Sequence, residues 1–288
     1  MASGASPSFD SRRGIAVVTG ASSGIGKEVA RQLVRLGAEV VAGVRDLDRG
    51  EAAKAEIAGG AEGRVHVLQV DVATPASVHA FVQSIQERFG SVQVLVNNAG
   101  AWFTDRRLNP DKVELTFATN VLGPHLLTGL LADPLRAEGG GRVVNVVSAI
   151  ATKPDLTDLQ FERRPYDGYQ AYAQSKGALR MITWGSANRF QGTGVTVNAA
   201  APGFVRTGFN RNARGLRTAF INLSARLFAV SPERGADTPL WVATAQHLEQ
   251  ATGRYFSGRR EREGGLRDPD AVAELERRCR ELEESLPI

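Results

Sequence analysis

Short apolar runs alternate with helical segments from the start of the chain. The runs Ile15–Val18, Glu39–Val44 and Val65–Val70 are rich in β-branched residues and lack polar alternation, which is typical of strands covered on both faces. Between them, residues 25–36 and 49–57 have the pattern of helices. Because strands separated by helices form right-handed crossovers, this alternation predicts a parallel sheet with helices on both faces.

The alternation continues through the second half of the chain. Further strands are predicted at Val92–Val96, Arg142–Val147, Val195–Ala199 and Arg254–Phe256, and further helices at Ala76–Phe89, Asp111–Leu135, from near Tyr166–Tyr172 to Phe190, Pro232–His247 and Asp268–Leu286. A chain of 288 residues is long enough for one large α/β domain. We therefore expect one doubly wound domain of about seven strands over residues 14–260, with an irregular or partly helical segment at 208–230. Residues 1–13 read as a flexible tail and residues 261–288 as a helical extension.

Composition narrows the class of protein. A single cysteine, Cys279, leaves no partner for an internal disulfide, and the four scattered histidines have no metal-ligand spacing, so no metal site is expected. The net charge is +4, but the arginines are dispersed among acids, which argues against nucleic-acid binding. No segment resembles a signal peptide or is long enough to span a bilayer, so we expect a cytoplasmic protein without a membrane anchor.

A glycine-rich turn, Thr19–Gly26, follows the first predicted strand and leads into a helix. Glycines allow the backbone to approach a pyrophosphate closely, and the helix N-terminus offers N–H donors with a partial positive charge. In the first strand–helix turn of a doubly wound sheet, this segment predicts a dinucleotide site. The alternative is a tight connection that binds nothing.

Tyr172 and Lys176 stand four residues apart in a predicted helix, so both side chains lie on one face. A phenol beside an ammonium group can act as an acid–base group near neutral pH. Ser148 follows a predicted strand, at the edge of the sheet where ligands bind. We do not expect Ser148 to be a nucleophile, because it lacks a G-x-S-x-G context and a His–Asp pair placed to activate it.

Taken in order, the glycine turn, Asn97–Gly100, Ser148 and the Tyr172–Lys176 pair resemble the short-chain dehydrogenase/reductase family, over about residues 14–258. Three further segments resemble its retinol-dehydrogenase-like branch: Gly24–Arg31, Arg45-Asp46 and Tyr255-Phe256. The resemblance implies a Rossmann fold and hydride transfer between a nicotinamide cofactor and an alcohol, ketone or aldehyde.

The resemblance also implies a catalytic group of Asn120, Ser148, Tyr172 and Lys176. In this interpretation Tyr172 exchanges the proton and Ser148 donates to the substrate oxygen. Lys176 and the positive nicotinamide ring of the oxidised cofactor lower the pKa of the phenol, and Lys176 also holds the nicotinamide ribose. Asn120 would hold a water beside Lys176; the alternative is a surface asparagine. Tyr166 and Tyr169 would line the entrance or pack outside it, and the insertion Lys153–Pro165 would form a loop near the mouth of the site.

The cofactor-binding residues that the resemblance implies are Gly20, Ser22, Ser23, Gly24, Ile25, Gly26, Arg45, Asp71, Val72, Asn98, Ala99, Gly100, Tyr172, Lys176, Pro202, Gly203, Val205 and Thr207. Asp71 would contact the adenine edge, or alternatively cap the helix that begins near Pro75. Asn97 is expected to have a mainly structural role.

The choice of cofactor depends on the end of the second strand, beside the adenosine ribose. Arg45 stands there, and a guanidinium suits a 2′-phosphate, so NADP(H) is predicted rather than NAD. An arginine that stacks on adenine without selectivity is the alternative, and the neighbouring Asp46 keeps NAD open.

Aromatic residues near the site predict a bulky hydrophobic ketone, aldehyde or alcohol as substrate. They are Trp102, Phe103, Phe204 and Phe209, and the alternative for each is packing in the core. The resemblance makes residues 208–230 a substrate lid. Two other functions stay open: dehydration, epimerisation or cyclisation on the same scaffold, and cofactor-dependent regulation without catalysis. The helices Asp111–Leu135 and Tyr172–Phe190 could support a homo-oligomer.

Overall fold

A computed structural model describes residues 14–202 and 231–286, which form one eight-stranded sheet with helices on both faces. The expected fold class is confirmed. The strands are β1 Ile15–Thr19, β2 Val40–Val44, β3 Val65–Gln69, β4 Val92–Asn97, β5 Arg142–Val146, β6 Thr196–Ala201, β7 Tyr255–Ser257 and β8 Arg260–Arg262. The predicted tail 1–13 and the segment 208–230 lie outside the described residues.

The strand order is β3-β2-β1-β4-β5-β6-β7-β8, and β1 to β7 run parallel. The direction of winding reverses between β1 and β4, so a crevice opens at the carboxyl ends of these strands. Strand β8 is antiparallel to β7 and was not predicted. It consists of exposed charged residues, so it has no apolar pattern that could have indicated a strand.

Helices α1 to α9 follow the predicted alternation, except in the region before β5. Their bounds are α1 Gly24–Arg35, α2 Leu47–Ala58, α3 Pro75–Phe89, α4 Leu115–Phe117, α5 Gly123–Leu130, α6 Ala132–Arg136, α7 Gly168–Arg189, α8 Pro232–Thr244 and α9 Pro269–Ser285. Helices α1, α2 and α8 bury one face of the sheet, whereas α3, α5 and α7 bury the other. The valine-rich strands are therefore covered on both sides, as their composition indicated.

The single helix predicted over Asp111–Leu135 is wrong at its start. Helical structure begins at Leu115, because the Glu114 carboxylate accepts the N–H groups of Thr116 and Phe117 at 2.9 and 2.7 Å. These two donors would otherwise lack a partner at a helix N-terminus. The buried Glu114 thus fixes where α4 begins.

The same helix is also interrupted in its middle and near its end. A π-helical turn at Ala118–Leu122 separates α4 from α5. Pro124 explains this widening, since it has no N–H to give to the carbonyl of Asn120 four residues earlier. A bend of 62° then separates Leu115–Leu130 from Ala132–Gly139.

Within residues 14–202 and 231–286, no single helix has the length and apolar content needed to cross a bilayer. Only the bent pair just described passes that test, by length and composition alone. In the same ranges, no group of His, Cys, Asp and Glu side chains could hold a metal ion.

The predicted C-terminal helix is confirmed as α9, and it packs against α7. Val272, Leu275 and Cys279 are buried in the same core cluster as residues of α7. His125 of α5 also meets Glu283 of α9, with 2.7 Å between Nδ1 and Oε1. Helix α9 therefore belongs to the core that supports α7.

Replacement of Leu275 by alanine should lower the free energy of unfolding by about 2–5 kcal/mol, because the side chain is fully buried and a cavity would remain. Urea denaturation followed by circular dichroism measures this loss. Leu108→Ala is the matched control, since Leu108 is 45% exposed and should change stability little. Equal effects of the two substitutions would show that α9 is not part of the cooperative core.

Candidate active site

The glycine turn joins β1 to α1 at the reversal of strand order. Gly20 and Gly24 have φ values of +66° and +59°, in the left-handed region that favours glycine. A Cβ at Gly26 would lie 2.5 Å from the Gly20 carbonyl oxygen, so the turn closes only with glycine there. Ser23 makes no side-chain bond to the start of α1, and the first turn contains no acid. The N-terminus of α1 therefore suits an anionic ligand; Ser22 and Ile25 lie in this turn.

Hydrogen bonds join the ends of β1 and β4 beside this turn. Asn98 Nδ2 donates to the Thr19 carbonyl at 2.9 Å. Thr19 Oγ1 accepts the N–H groups of Asn98 and Ala99 at 3.1 and 3.0 Å. Ala99 and Gly100 are half-buried next to these bonds, so the crevice keeps a fixed width where the two strands end.

Asn97 has the structural role that was predicted. Its side chain is buried, and Nδ2 donates to Asn145 Oδ1 on β5 at 2.8 Å and to Thr128 Oγ1 on α5 at 3.1 Å. The side chain therefore holds β4 to its neighbouring strand and helix.

Arg45 is exposed at the end of β2, at the same edge of the sheet as the glycine turn. The next residue, Asp46, caps α2, with its Oδ1 accepting the N–H of Arg49 at 3.1 Å. Arg45 and Asp46 are thus both exposed at this strand end, and one oxygen of the Asp46 carboxylate is engaged by the helix.

Asp71 and Val72 follow β3. The Asp71 carboxylate accepts the N–H of Ala73 at 3.0 Å, in the turn before α3, and Thr74 occupies the N-cap position of that helix. The alternative that Asp71 caps α3 is therefore wrong, because its carboxylate bonds the turn before the helix and not the helix itself. A Cβ at Gly123 would lie 2.2 Å from the Val72 carbonyl oxygen, so this turn packs tightly against the start of α5.

Tyr172, Lys176 and Ser148 come together at the carboxyl edge. Tyr172 and Lys176 share one face of α7, with Lys176 Nζ 5.9 Å from the centroid of the phenol ring. Lys176 Nζ also donates to the Val146 carbonyl at 2.9 Å. The Ser148 side chain hydrogen-bonds to the Tyr172 phenol. The three residues predicted from separate motifs thus form one cluster.

Burial controls the ionisation of this cluster. It raises the pKa of Tyr172 to about 12, although the hydrogen bond from Ser148 acts in the opposite direction. Burial also lowers the pKa of Lys176 to about 8, so the ammonium is still charged at neutral pH. Among the protein groups, desolvation therefore outweighs the effect of Ser148 on the phenol pKa, and the lowering expected with the oxidised cofactor stays a prediction.

Asn120 lies in the π-helical turn and is fully buried, so the alternative of a surface asparagine is wrong. Its Nδ2 donates to the Ala101 carbonyl and to Ser175 Oγ, each at 2.9 Å, and its Oδ1 accepts the Ala101 N–H at 2.8 Å. The side chain thus joins the loop after Gly100 to α7. The water that the resemblance implies beside Lys176 stays a prediction.

Two residues inside the Tyr172–Lys176 motif were missed by sequence reasoning. Ser175 Oγ donates to the Tyr172 carbonyl at 2.8 Å and accepts from Asn120. Gln174 Nε2 donates to the Leu159 carbonyl at 3.0 Å, and Gln174 Oε1 accepts from Arg164 Nη2 at 2.7 Å. Gln174 therefore fastens the insertion 153–165 to α7, next to Tyr172 and Lys176. The only signal in the sequence for these two contacts is that Gln174 and Ser175 are polar residues between Tyr172 and Lys176.

The aromatic residues predicted to face substrate differ in their surroundings. Trp102 is stacked on Tyr172, with ring centroids 5.4 Å apart and an interplanar angle of 18°. The Tyr169 ring meets the Trp102 ring edge-on, with 6.2 Å between their centroids. Phe103 is buried, and the Arg107 guanidinium lies 5.4 Å from its ring centroid. Both side chains are buried, and Trp102 is the one that lies against the Tyr172 ring.

Tyr166 packs outside this cluster. Its hydroxyl donates to Glu114 Oε1 at 3.0 Å and lies 3.0 Å from Thr116 Oγ1, and burial moves its pKa well above the usual value. Pro202 directly follows β6 at the carboxyl edge and ends the first described range. The predicted residues Gly203, Phe204, Val205, Thr207 and Phe209 lie outside the described residues.

A family model described as short chain dehydrogenase matches residues 14–216. The chain belongs to the short-chain dehydrogenase family. Retinol dehydrogenase 13 of Mus musculus is 36% identical to it over 270 residues, which are 91% of this chain and 81% of that protein. The predicted retinol-dehydrogenase-like branch is therefore confirmed.

Two solved structures of similar proteins show the same architecture. An uncharacterized protein from Mycobacterium paratuberculosis has a TM-score of 0.77 and 29% identity, covering 98% of this chain and 97% of its own. A metagenomic short-chain oxidoreductase in complex with NADP has a TM-score of 0.62 and 27% identity, covering 84% of this chain and 95% of its own.

Family membership makes this dehydrogenase an oxidoreductase that acts on alcohols or carbonyls and binds a nicotinamide dinucleotide. The residues of the glycine turn fit such a cofactor. The uncapped start of α1 can receive the pyrophosphate, and the missing side chains at Gly20 and Gly24 allow close approach.

Gly26→Ala should weaken binding of nicotinamide dinucleotides by about tenfold or more, since its Cβ would lie 2.3 Å from Asn98 Nδ2 and displace the turn. Fluorescence titration with the reduced cofactor measures this affinity. Gly129→Ala is the control, because nothing lies within 4 Å of that Cβ and affinity should stay as in the native chain. Native affinity in Gly26→Ala would contradict a cofactor site at this turn.

Proposed function

We propose that this dehydrogenase uses NADP(H) to transfer a hydride between nicotinamide and a hydrophobic ketone, aldehyde or alcohol, with Tyr172 as general acid and base. The observation that carries the proposal is the hydrogen bond between Ser148 and the Tyr172 phenol. It lies at the sheet edge that also bears the glycine turn, with the charged Lys176 beneath the phenol ring.

The bound cofactor supplies the hydride in reduction and accepts it in oxidation. Tyr172 is protonated at neutral pH because burial raises its pKa to about 12, so in reduction it can give its proton to the substrate oxygen. The Ser148 hydroxyl donates to the same oxygen and orients the carbonyl. In oxidation the proton moves in the reverse direction, from the alcohol to Tyr172.

Lys176 and Asn120 support this proton transfer in different ways. The charge of Lys176 persists at neutral pH and favours the phenolate that reduction leaves behind. The buried amide of Asn120 fixes the loop that carries Trp102 against α7 through Ala101 and Ser175. Lys176 thus acts through its charge, whereas Asn120 acts by holding the loop in place.

The choice of NADP(H) is supported by Arg45. Its guanidinium is exposed at the end of β2, whereas the neighbouring Asp46 is engaged in capping α2. A planar guanidinium suits the geometry of a 2′-phosphate, and one oxygen of the acid that would prefer the unmodified ribose is engaged at the start of α2.

A hydrophobic substrate is supported by Trp102, whose ring is stacked on Tyr172. An apolar wall beside the reacting oxygen excludes water and favours a bulky, weakly polar carbonyl. Cytoplasmic location, a homo-oligomer and residues 208–230 as a lid stay predictions.

Tyr172→Phe should lower kcat for carbonyl reduction by at least about a hundredfold, because the ring stays while the transferable proton is lost. Cofactor absorbance with hydrophobic ketones and aldehydes measures the rate. Tyr255→Phe is the control; it removes a hydroxyl from a buried ring on β7 and should keep most of the activity. Full activity in Tyr172→Phe would contradict the acid–base role. Product formed without cofactor consumption would instead support the non-redox alternative.

Arg45→Ala should weaken binding of NADPH by about tenfold to a hundredfold and leave NADH binding within about twofold, because only NADPH carries the 2′-phosphate. Parallel fluorescence titrations with the two cofactors measure the ratio. Arg88→Ala serves as control, since Arg88 lies in the last turn of α3, at the opposite edge of the sheet. Equal losses for the two cofactors would show that Arg45 does not select NADPH.

A further inference from the structure

Arg180 is a buried cation close to the site, and the proposed reaction gives it no role. It follows Lys176 by one turn of α7 and is only 8% exposed. Its guanidinium lies 4.0 Å above the ring centroid of Tyr255. Nη2 donates to the main-chain carbonyl of Ser148. Arg180 therefore reaches from α7 to the end of β5.

The charge of Arg180 meets no carboxylate among the described residues. Burial lowers the pKa of the guanidinium, and Tyr255 acts in the opposite direction. A buried charge without a counter-charge is unfavourable for folding, and such groups concentrate at functional sites. Packing alone would be served better by an apolar side chain of the same length.

Ser148 is the residue through which Arg180 can influence the reaction. Ser148 Oγ accepts the N–H of Ile150 at 3.0 Å and also hydrogen-bonds to the Tyr172 phenol. The carbonyl that Arg180 holds belongs to the same residue as this hydroxyl. Since β5 ends at Val146, no strand hydrogen bonds of β5 fix Ser148, and the guanidinium supplies a restraint there.

We propose that Arg180 is a positioning residue for the reaction: by holding the Ser148 carbonyl against α7, it keeps the Ser148 hydroxyl on the Tyr172 phenol. Without this restraint Ser148 moves away and the phenol loses a hydrogen bond that favours its ionised form. The kinetic consequence rests on the proposed function, whereas the positioning of Ser148 does not.

The test compares Arg180→Met with the native enzyme in alcohol oxidation as a function of pH. Tyr172 must be ionised to accept the proton, so loss of the Ser148 hydrogen bond moves the rising limb of kcat to higher pH. We expect a shift of about one pH unit, a fall in kcat of about tenfold at neutral pH, and a KM for cofactor within about twofold. Arg180→Lys, which keeps a charged donor, should recover part of the loss.

Two further variants separate positioning from a general structural role. Adding Arg180→Met to Ser148→Ala should cause no further shift, because both changes remove the same hydrogen bond. Arg267→Met is the control for the two kinds of contact: Arg267, which is exposed, lies 4.3 Å above the Trp184 ring and donates to the Gly253 carbonyl at 3.0 Å. It makes the same two kinds of contact elsewhere, so its removal should leave the pH profile as in the native enzyme.

A readout that needs no activity is the ¹³Cζ NMR signal of Tyr172, which is resolvable because the chain has four tyrosines and Tyr172→Phe assigns it. Arg180→Met and Ser148→Ala should shift this signal in the same direction. If the native protein turns over no carbonyl or alcohol but the shift is seen, the proposed function fails and the positioning stands.

Several results would overturn the role of Arg180: an unchanged Tyr172 signal, a fall in kcat with an unchanged pH profile, or an additive double variant. The same shift in Arg267→Met would do so too. If Arg180→Met shows no cooperative unfolding, Arg180→Lys is measured in its place. A native Tyr172 signal in that variant then counts against the guanidinium as the restraint.

Discussion

A chain of buried side-chain hydrogen bonds holds together the strands and helices that form the site. Asn97 on β4 donates to Asn145 on β5, which donates to Thr183 Oγ1 on α7 at 3.0 Å, and Asn97 also donates to Thr128 on α5. All four residues are buried. Since each buried amide would be costly without its partner, the chain permits one register of β4, β5 and α7. That register places Ser148 opposite Tyr172.

Burial is the second constraint, and it acts on the site electrostatically. Both members of the Tyr172–Lys176 pair are removed from water, which raises one pKa to about 12 and lowers the other to about 8. The protein therefore holds a protonated phenol beside a cation that is near its own ionisation point. In the proposed reaction this protonated phenol gives its proton to the carbonyl oxygen, and the nearby charge of Lys176 favours the phenolate that remains.

Most of the fold could be predicted because the short valine-rich runs can be read only as strands that are buried on both faces. The prediction of one helix over Asp111–Leu135 was wrong because single side chains outweigh the apolar pattern there. The Glu114 carboxylate caps a helix that begins later, and Pro124 removes an N–H donor in the middle. Pro124 was a visible signal in the sequence. Strand β8 had no such signal, because its residues are charged and exposed and it is defined by its backbone pairing with β7.

The site was predictable as a set of motifs, but its connections were not. Ser148, Tyr172 and Lys176 were found because each belongs to a recognisable pattern with a fixed place in the fold. Arg180 was missed because its acceptor is a main-chain carbonyl, 32 residues away in sequence. No composition or spacing indicates a bond to a carbonyl whose position depends on the tertiary structure.

Helix α7 shows why periodicity says little about such a segment. Gln174 contacts the insertion 153–165, Ser175 contacts Asn120, and Arg180 contacts Ser148. Successive residues of a helix point about 100° apart, so these contacts lie on different faces. A helix that is buried on every side cannot have an amphipathic pattern, and each of its polar residues must then have a specific partner. The helix that carries Tyr172 and Lys176 is thus also the element that joins the insertion 153–165, the β4 loop and the end of β5.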